Sequence, residues 1–168
     1  IDTSNKSYSL IVSDVIRQVT YFFDDKLIII DSVHNYGPVV NFDYNNGIFL
    51  ACNIGLLNPN NGKFGSAQFM NATNNGKYKM DSLPLFDGLQ RPVQITESDL
   101  NGDGKPDYLI CEFGYITGSL SWMENKGNNL FARHVLRPIP GAIKAYINDF
   151  NHDGLPDIWY YSPREMNP

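Results

Sequence analysis

Two nine-residue stretches carry most of the chemistry legible in this chain. Asp99 opens DLNGDGKPD and Asp149 opens DFNHDGLPD, fifty residues apart. Each places oxygen-bearing side chains at positions 1, 3, 5 and 9. These are Asp99, Asn101, Asp103 and Asp107 in the first stretch, and Asp149, Asn151, Asp153 and Asp157 in the second. Gly104 and Gly154 fill position 6, where a sharp turn favours positive φ. Lys105 and Leu155, at position 7, could each contribute a backbone carbonyl, and Pro106 and Pro156 stiffen the exit. Three carboxylates crowded into nine residues repel one another unless a cation or protons intervene. Side-chain oxygens at alternate positions converge when the backbone coils around an ion. Calcium, which takes roughly six to eight oxygens in an adaptable shell, suits such a loop better than magnesium with its rigid octahedron. A lone Asp-Gly pair is an ordinary turn; four ligand types at the same spacing, twice, are expected to hold two Ca2+ ions. Binding both would bring the formal charge from −5 to about −1.

EF-hand loops begin in the same way but need an acidic twelfth residue and then a helix. Position 12 is Ile110 in one stretch and Tyr160 in the other, and the following YLICEF and IWYYS are strand sequence. The loops must therefore be positioned by strands. Further landmarks recur in the same order: Gly76 and Gly127 lie 51 residues apart, in NNGKYKMDSLPL and NKGNNLFARHVLRPI, and CNIG at Cys52 matches CEFG at Cys111, 59 residues on. Within one unit, PVQITESD, YLICEFG, GSLSWMEN and LFARHVL are short apolar, aromatic or β-branched runs bounded by Gly, Asn or Pro. Four short strands in about fifty residues is the size of one propeller blade. SDVIRQV, residues 13–19, could make two helical turns but runs straight into TYFF, so an all-β reading is preferred.

The loop Asp-x-Asn-x-Asp-Gly-x-Pro-Asp followed by a hydrophobic strand resembles the FG-GAP/VCBS repeats, the blades of integrin-α-like β-propellers, common in secreted and surface proteins of bacteria. The resemblance covers residues 92–162 and extends weakly back to Gly37. It implies calcium ligation by the eight side chains above with carbonyl help from Lys105 and Leu155, in a structural rather than catalytic role. An earlier copy, FDYNNGIF, keeps Asp43 and Asn45 but has Gly47 and Ala51 in place of the acids at positions 5 and 9, so no calcium is expected there. The expected architecture is all-β: β-propeller blades of four short antiparallel strands, about 50 residues per repeat. The chain divides into a partial blade (1–36), a degenerate blade (37–91), a calcium-loop blade (92–138) and a partial calcium-loop blade (139–168). Propellers close with roughly four to eight blades. The chain is thus expected to be part of a larger propeller, with self-association or other chains supplying blades, or else a small propeller whose partial ends combine.

Composition narrows the function. The chain has 168 residues, is 42% hydrophobic and 18% charged, and carries a net charge of −5 with no basic stripe, which argues against a nucleic-acid partner. No apolar run approaches the ~20 residues of a membrane span. With Ile1 at its start, the sequence is expected to be a mature or excised segment of a longer protein. Cys52 and Cys111 hold matching places and are expected to be packing positions rather than a mutual disulfide. His34, His134 and His152 form no cluster in sequence, and Trp122 and Trp159 are expected on strands, in packing rather than sugar stacking. Asn5-Lys-Ser7 and Asn71-Ala-Thr73 are short glycosylation patterns of low specificity. No nucleophile triad, nucleotide loop or metal-hydrolase motif is present, and Glu97, Glu112 and Glu124 have no spacing that singles them out as glycosidase acids. Two functions remain. One is a calcium-stabilised, non-enzymatic module binding a protein or polysaccharide outside the cytoplasm, at the cell surface or in the periplasm. The other is an accessory segment of a surface or secreted enzyme whose catalytic part lies elsewhere.

Overall fold

The computed structural model describes residues 10–163 of the chain. Among them lie fourteen strands in four antiparallel sheets, and no helix. The first sheet is β1 (Leu10–Asp14), β2 (Val19–Phe23) and β3 (Ile29–His34), in that order. The second holds β4 (Val39–Asn45), β5 (Ile48–Asn53), β6 (Gly65–Ala72), β7 (Tyr78–Met80) and β8 (Phe86–Leu89). The third is β9 (Pro92–Ser98), β10 (Asp107–Glu112), β11 (Ser119–Gly127) and β12 (Leu130–Arg137), and the fourth is β13 (Lys144–Asn148) with β14 (Asp157–Tyr161). The all-β expectation holds. Residues 13–19 make no helix: Asp14 ends β1 and the chain turns through Gln18, at φ 56°, into β2.

Side chains on a strand alternate between its two faces. The second strands exploit this on both sides. In β5, Phe49 and Ala51 join a core with Phe22, Val33, Met70 and Met80, whereas Leu50 and Cys52 join another with Ile95, Tyr108 and Ile110. In β10, Tyr108 and Ile110 face back to that second core, whereas Leu109 and Cys111 form a third with Leu120, Ala142 and Ala145. Three cores thus lie between four sheets stacked in chain order. Burial on both faces explains why FLAC and YLIC are continuous apolar runs rather than alternating ones. Each fully buried Leu or Ile here contributes on the order of 2 kcal/mol.

Sheet three has the four strands expected of a unit; sheet two has five. β7 and β8 lie end to end along β6, Met70 facing Met80 and Ala67 facing Phe86. The segment Asp81–Leu85 between them, with its Pro84, interrupts what β12 achieves as one uninterrupted strand. Cys52 and Cys111 are free and buried. Burial raises both thiol pKa values, that of Cys111 to about 12.

Candidate functional site

Each acidic stretch is the loop joining the first two strands of its sheet, β9 to β10 and β13 to β14. The two loops share a hydrogen-bond pattern. In the first, Asp99 Oδ1 accepts the amides of Gly102 (2.8 Å) and Asp103 (3.1 Å), and Oδ2 accepts that of Gly104 (2.8 Å). In the second, Asp149 Oδ1 accepts the Asp153 amide (3.0 Å) and Oδ2 accepts that of Gly154 (2.9 Å). The position-3 amide oxygens converge on the same donor: Asn101 Oδ1 lies 3.0 Å from Asp103 N and Asn151 Oδ1 2.9 Å from Asp153 N. Asp103 Oδ1 and Asp153 Oδ1 each accept the amide two residues on, both at 2.9 Å. Gly104 and Gly154 take φ of 80° and 86°, as the position-6 turn requires.

Position 9 does something different. Asp107 is fully buried, and its carboxylate accepts from Leu100 N (3.2 Å) and Asn125 N (2.7 Å). It therefore ties the loop to β11. Asp157 Oδ2 accepts the amides of Phe150 (3.0 Å) and Asn151 (3.3 Å) within its own loop. The structure brings positions 1, 3 and 5 into one coil and turns position 9 towards the loop base. Among the described residues, no three His, Cys, Asp or Glu side chains gather as a metal-ligating group. The donors fit a hard cation in kind, since all are oxygens, and positions 1 and 3 already share one amide as their focus.

Charge compensation differs between the loops. Lys105 Nζ lies 2.8 Å from Asp103 Oδ2, and this hydrogen bond holds the Asp103 carboxyl below its ordinary pKa while raising that of Lys105. Leu155 offers no such amine; there Asn151 Nδ2 donates to Asp153 Oδ2 at 3.0 Å. A second carboxylate stands beside the first loop. Glu124 of β11 accepts from Asn101 Nδ2 (3.2 Å), pairs with Lys126 (2.6 Å) and contacts His134 Nε2 (2.7 Å). The His134 ring lies 4.7 Å from that of Trp122. Neither Glu124 nor His134 stands out in sequence, because only the β11–β12 register brings them together. His152 occupies loop position 4 at φ 62° and is exposed.

The equivalent hairpin of sheet two has no such loop. β4 and β5 are joined by Asn46 and Gly47 alone, at φ 49° and 85°, the two positive values of a type I′ turn. Asp43 instead accepts the Glu97 amide of sheet three at 2.7 Å, and Asn45 Nδ2 donates to Glu97 Oε1 at 2.6 Å. These side chains line a cleft of about 150 Å³ between the two sheets. In sheet one, Asp14 accepts the amides of Ile16 (3.0 Å) and Arg17 (2.8 Å). An Asp therefore stands at the start of the first hairpin in all four sheets, and for Asp14 the sequence carried no wider motif to reveal it. Of the glycosylation patterns, Asn71 sits half-buried near the end of β6, with Nδ2 3.1 Å from Asp81 Oδ1, and Asn5-Lys-Ser7 lies outside the described residues.

Residues 99–160 match the family model described as FG-GAP-like repeat, a span that takes in both acidic loops and the strands between them. No curated protein and no solved structure matches the chain.

Proposed function

We propose that this chain is a calcium-braced β-propeller segment, a non-enzymatic module that binds a protein or polysaccharide outside the cytoplasm. The observation that carries the reading is the repeated loop: two nine-residue coils with one hydrogen-bond pattern, each at the same place in its sheet. Both lie within the FG-GAP-like repeat match, which supports the same reading. Asp99, Asn101, Asp103 and Asp107 would hold one ion and Asp149, Asn151, Asp153 and Asp157 the other, with the carbonyls of Lys105 and Leu155 as further donors. A bound cation supplies the positive charge that these carboxylates lack and cross-links the two strands that each loop joins. The stack of sheets, each packed against the next, supports a radial arrangement of blades. Sites filled where calcium is plentiful suit an extracellular, surface or periplasmic setting.

Thermal melting in chelator and then in excess calcium tests the brace. A ligand that binds only the folded state at a hundredfold its Kd adds about 2.7 kcal/mol per site. Melting temperature is expected to fall with chelator and recover with calcium, and the recovery to shrink in Asp103→Ala and again in the double variant with Asp153→Ala. An unchanged wild-type transition in both conditions refutes the brace. The binding role is read by screening the purified chain on glycan and protein arrays, and turnover of any substrate by the chain alone counts against it.

A further inference from the structure

Arg91 carries a charge that no carboxylate of the described residues balances. It stands between β8 and β9, where the chain passes from sheet two to sheet three, and only 9% of it is exposed. Its Nη1 donates to three carbonyls of the β5–β6 loop, those of Leu56 (3.3 Å), Leu57 (3.1 Å) and Asn58 (2.6 Å). Its Nε is buried without an acceptor. Among the described residues Nη2 makes no hydrogen bond, and the guanidinium enters no ion pair. Glu112 lies close by, accepting the Gln90 amide, but Arg133 already matches its charge. Arginine is seldom buried to this extent without a partner, because an uncompensated charge gives up its hydration and gains no counter-charge.

The fold does not require arginine at this corner. One repeat on (141 − 91 = 50), the corner between β12 and β13 is Gly141. Both residues have positive φ, 109° for Gly141 and 49° for Arg91. Glycine adopts that conformation freely, whereas a long side chain held there is strained, and strain of this kind collects at ligand clamps. Two loops flank the corner. The β5–β6 loop is held through Nη1. The β10–β11 loop is held through Gln90, whose Nε2 donates to Thr117 Oγ1 (2.6 Å) and whose carbonyl accepts from Gly114 N (3.1 Å). The Ile116 amide donates to Asn61 Oδ1 at 3.0 Å and joins the two loops to each other. The corner therefore lies inside the stack, with a described sheet on either side. On its loops Leu56, Leu57 and Ile116 are exposed.

We propose that Arg91 binds a carboxylate, and that the corner it occupies docks an acidic segment of a protein partner whose carboxylate is flanked by apolar side chains. Nη1 is already anchored. The opposite edge of the guanidinium, Nε with Nη2, presents two parallel N–H groups at the spacing of a carboxylate's two oxygens. The three carbonyls on Nη1 fix the plane of this fork before a ligand arrives, which lowers the cost of ordering it. Nε is covered in the free chain, so docking has to uncover it. Leu56, Leu57 and Ile116 suit apolar side chains beside the carboxylate. A peptide supplies both the charge and the apolar neighbours, whereas a chain of uronic acids supplies the charge alone. The inference rests on the proposed binding role, for which it names the partner's chemistry, and does not depend on calcium.

Titration of the full chain, in calcium, followed in the proton–nitrogen NMR spectrum tests it. The probes are the blocked tripeptide Leu-Glu-Leu, its Leu-Gln-Leu counterpart and a galacturonate oligomer. Leu-Glu-Leu is expected to move the Arg91 Nε–H signal, identified by its loss in Arg91→Lys, and Leu-Gln-Leu to leave it in place. Arg91→Lys keeps the charge but not the fork and should weaken binding by about tenfold or more. Arg91→Gly suits the positive φ and should abolish binding while the amide signals of β5 and β10 stay in place, which separates loss of ligand from loss of fold. Ile116→Asp, at an exposed position, should weaken binding by repulsion with the melting temperature unchanged. Equal binding of the two tripeptides, equal binding by Arg91→Lys and wild type, or no binding of any probe overturns the proposal. Movement of the Nε–H signal by galacturonate and not by the peptide also overturns it, since the occupant is then a polysaccharide. A protein held on an array equally by wild type and Arg91→Gly would remove this site and leave the binding role standing, so the two readings fail separately.

Discussion

Glu112 and Arg133 illustrate how single residues hold this molecule together. Glu112 is completely buried at the end of β10, where its carboxylate accepts from Gln90 N (2.7 Å) and Ser119 Oγ (2.9 Å) and pairs with Arg133 reaching in from β12. The pair spans three strands of sheet three. Removing one partner leaves a buried charge uncompensated, which costs roughly 3–5 kcal/mol. Arg133→Met should therefore lower stability in urea by about 3 kcal/mol, and adding Glu112→Gln should recover part of the loss. No recovery in the double variant would show that charge is not the cause. Half-buried carboxylates give a pH signature. The Arg17 amide holds Asp14 below its usual 3.8, and the Lys126 ammonium, followed by His134, holds Glu124 below 4.5. A depressed folded-state pKa contributes stability at pH values above the ordinary one and loses it as pH falls through the folded value. Side-chain NMR titration should therefore find both midpoints below those ordinary values, and the stabilisation they give should disappear only under acid. The pairs Glu112–Arg133 and Glu124–His134 were not legible in the sequence, because strand register brings them together, whereas Asp14 with Arg17 and Glu124 with Lys126 are neighbours along the chain.

The elements divide into those whose turns are written locally and those that depend on their neighbours. The acidic loops are of the first kind: Asp at position 1, Gly at position 6 and their intervening amides satisfy one another within nine residues, so spacing alone predicted the coil. The Asn46-Gly47 hairpin is equally local, and it gives FDYNNGIF a two-residue turn where the acidic stretches form a nine-residue coil. The contact between sheets three and four is of the second kind. Gln94 of β9 uses its carboxamide as a strand edge, with Nε2 donating to Ala145 O (3.0 Å) and Oε1 accepting from Ala145 N (2.6 Å). Both bonds are buried. Gln94→Ala should cost about 2–3 kcal/mol by leaving two backbone groups unsatisfied, and native-state hydrogen exchange should show the Ala145 amide losing protection more than amides of β5. Equal protection there would mean that packing, not Gln94, holds β13. The division of the fourth strand of sheet two into β7 and β8, on either side of Pro84, was not foreseen in the sequence, although both pieces fall within the expected unit 37–91.

At the scale of the molecule, stability should be graded along the stack. β5 and β10 bury both faces, whereas β13 and β14 bury one and form a two-stranded sheet. Local opening is easiest where apolar contacts are fewest. Hydrogen exchange of the chain should therefore proceed fastest in β13 and β14 and slowest in β5 and β10; uniform rates would indicate a single cooperative unit instead. The sequence by itself determined the all-β class, the strand-loop-strand setting of the acidic coils and their repetition, because these depend on alternation, turn chemistry and spacing along the chain. Only the tertiary structure decided which face of each strand is covered. KAYIN and DIWYY carry apolar side chains on both faces, so their pattern cannot distinguish a strand between two sheets from one at the end of a stack. Burial is a relation between sheets, and DLNGDGKPD and DFNHDGLPD, for all their local information, say nothing about whether another sheet lies beyond.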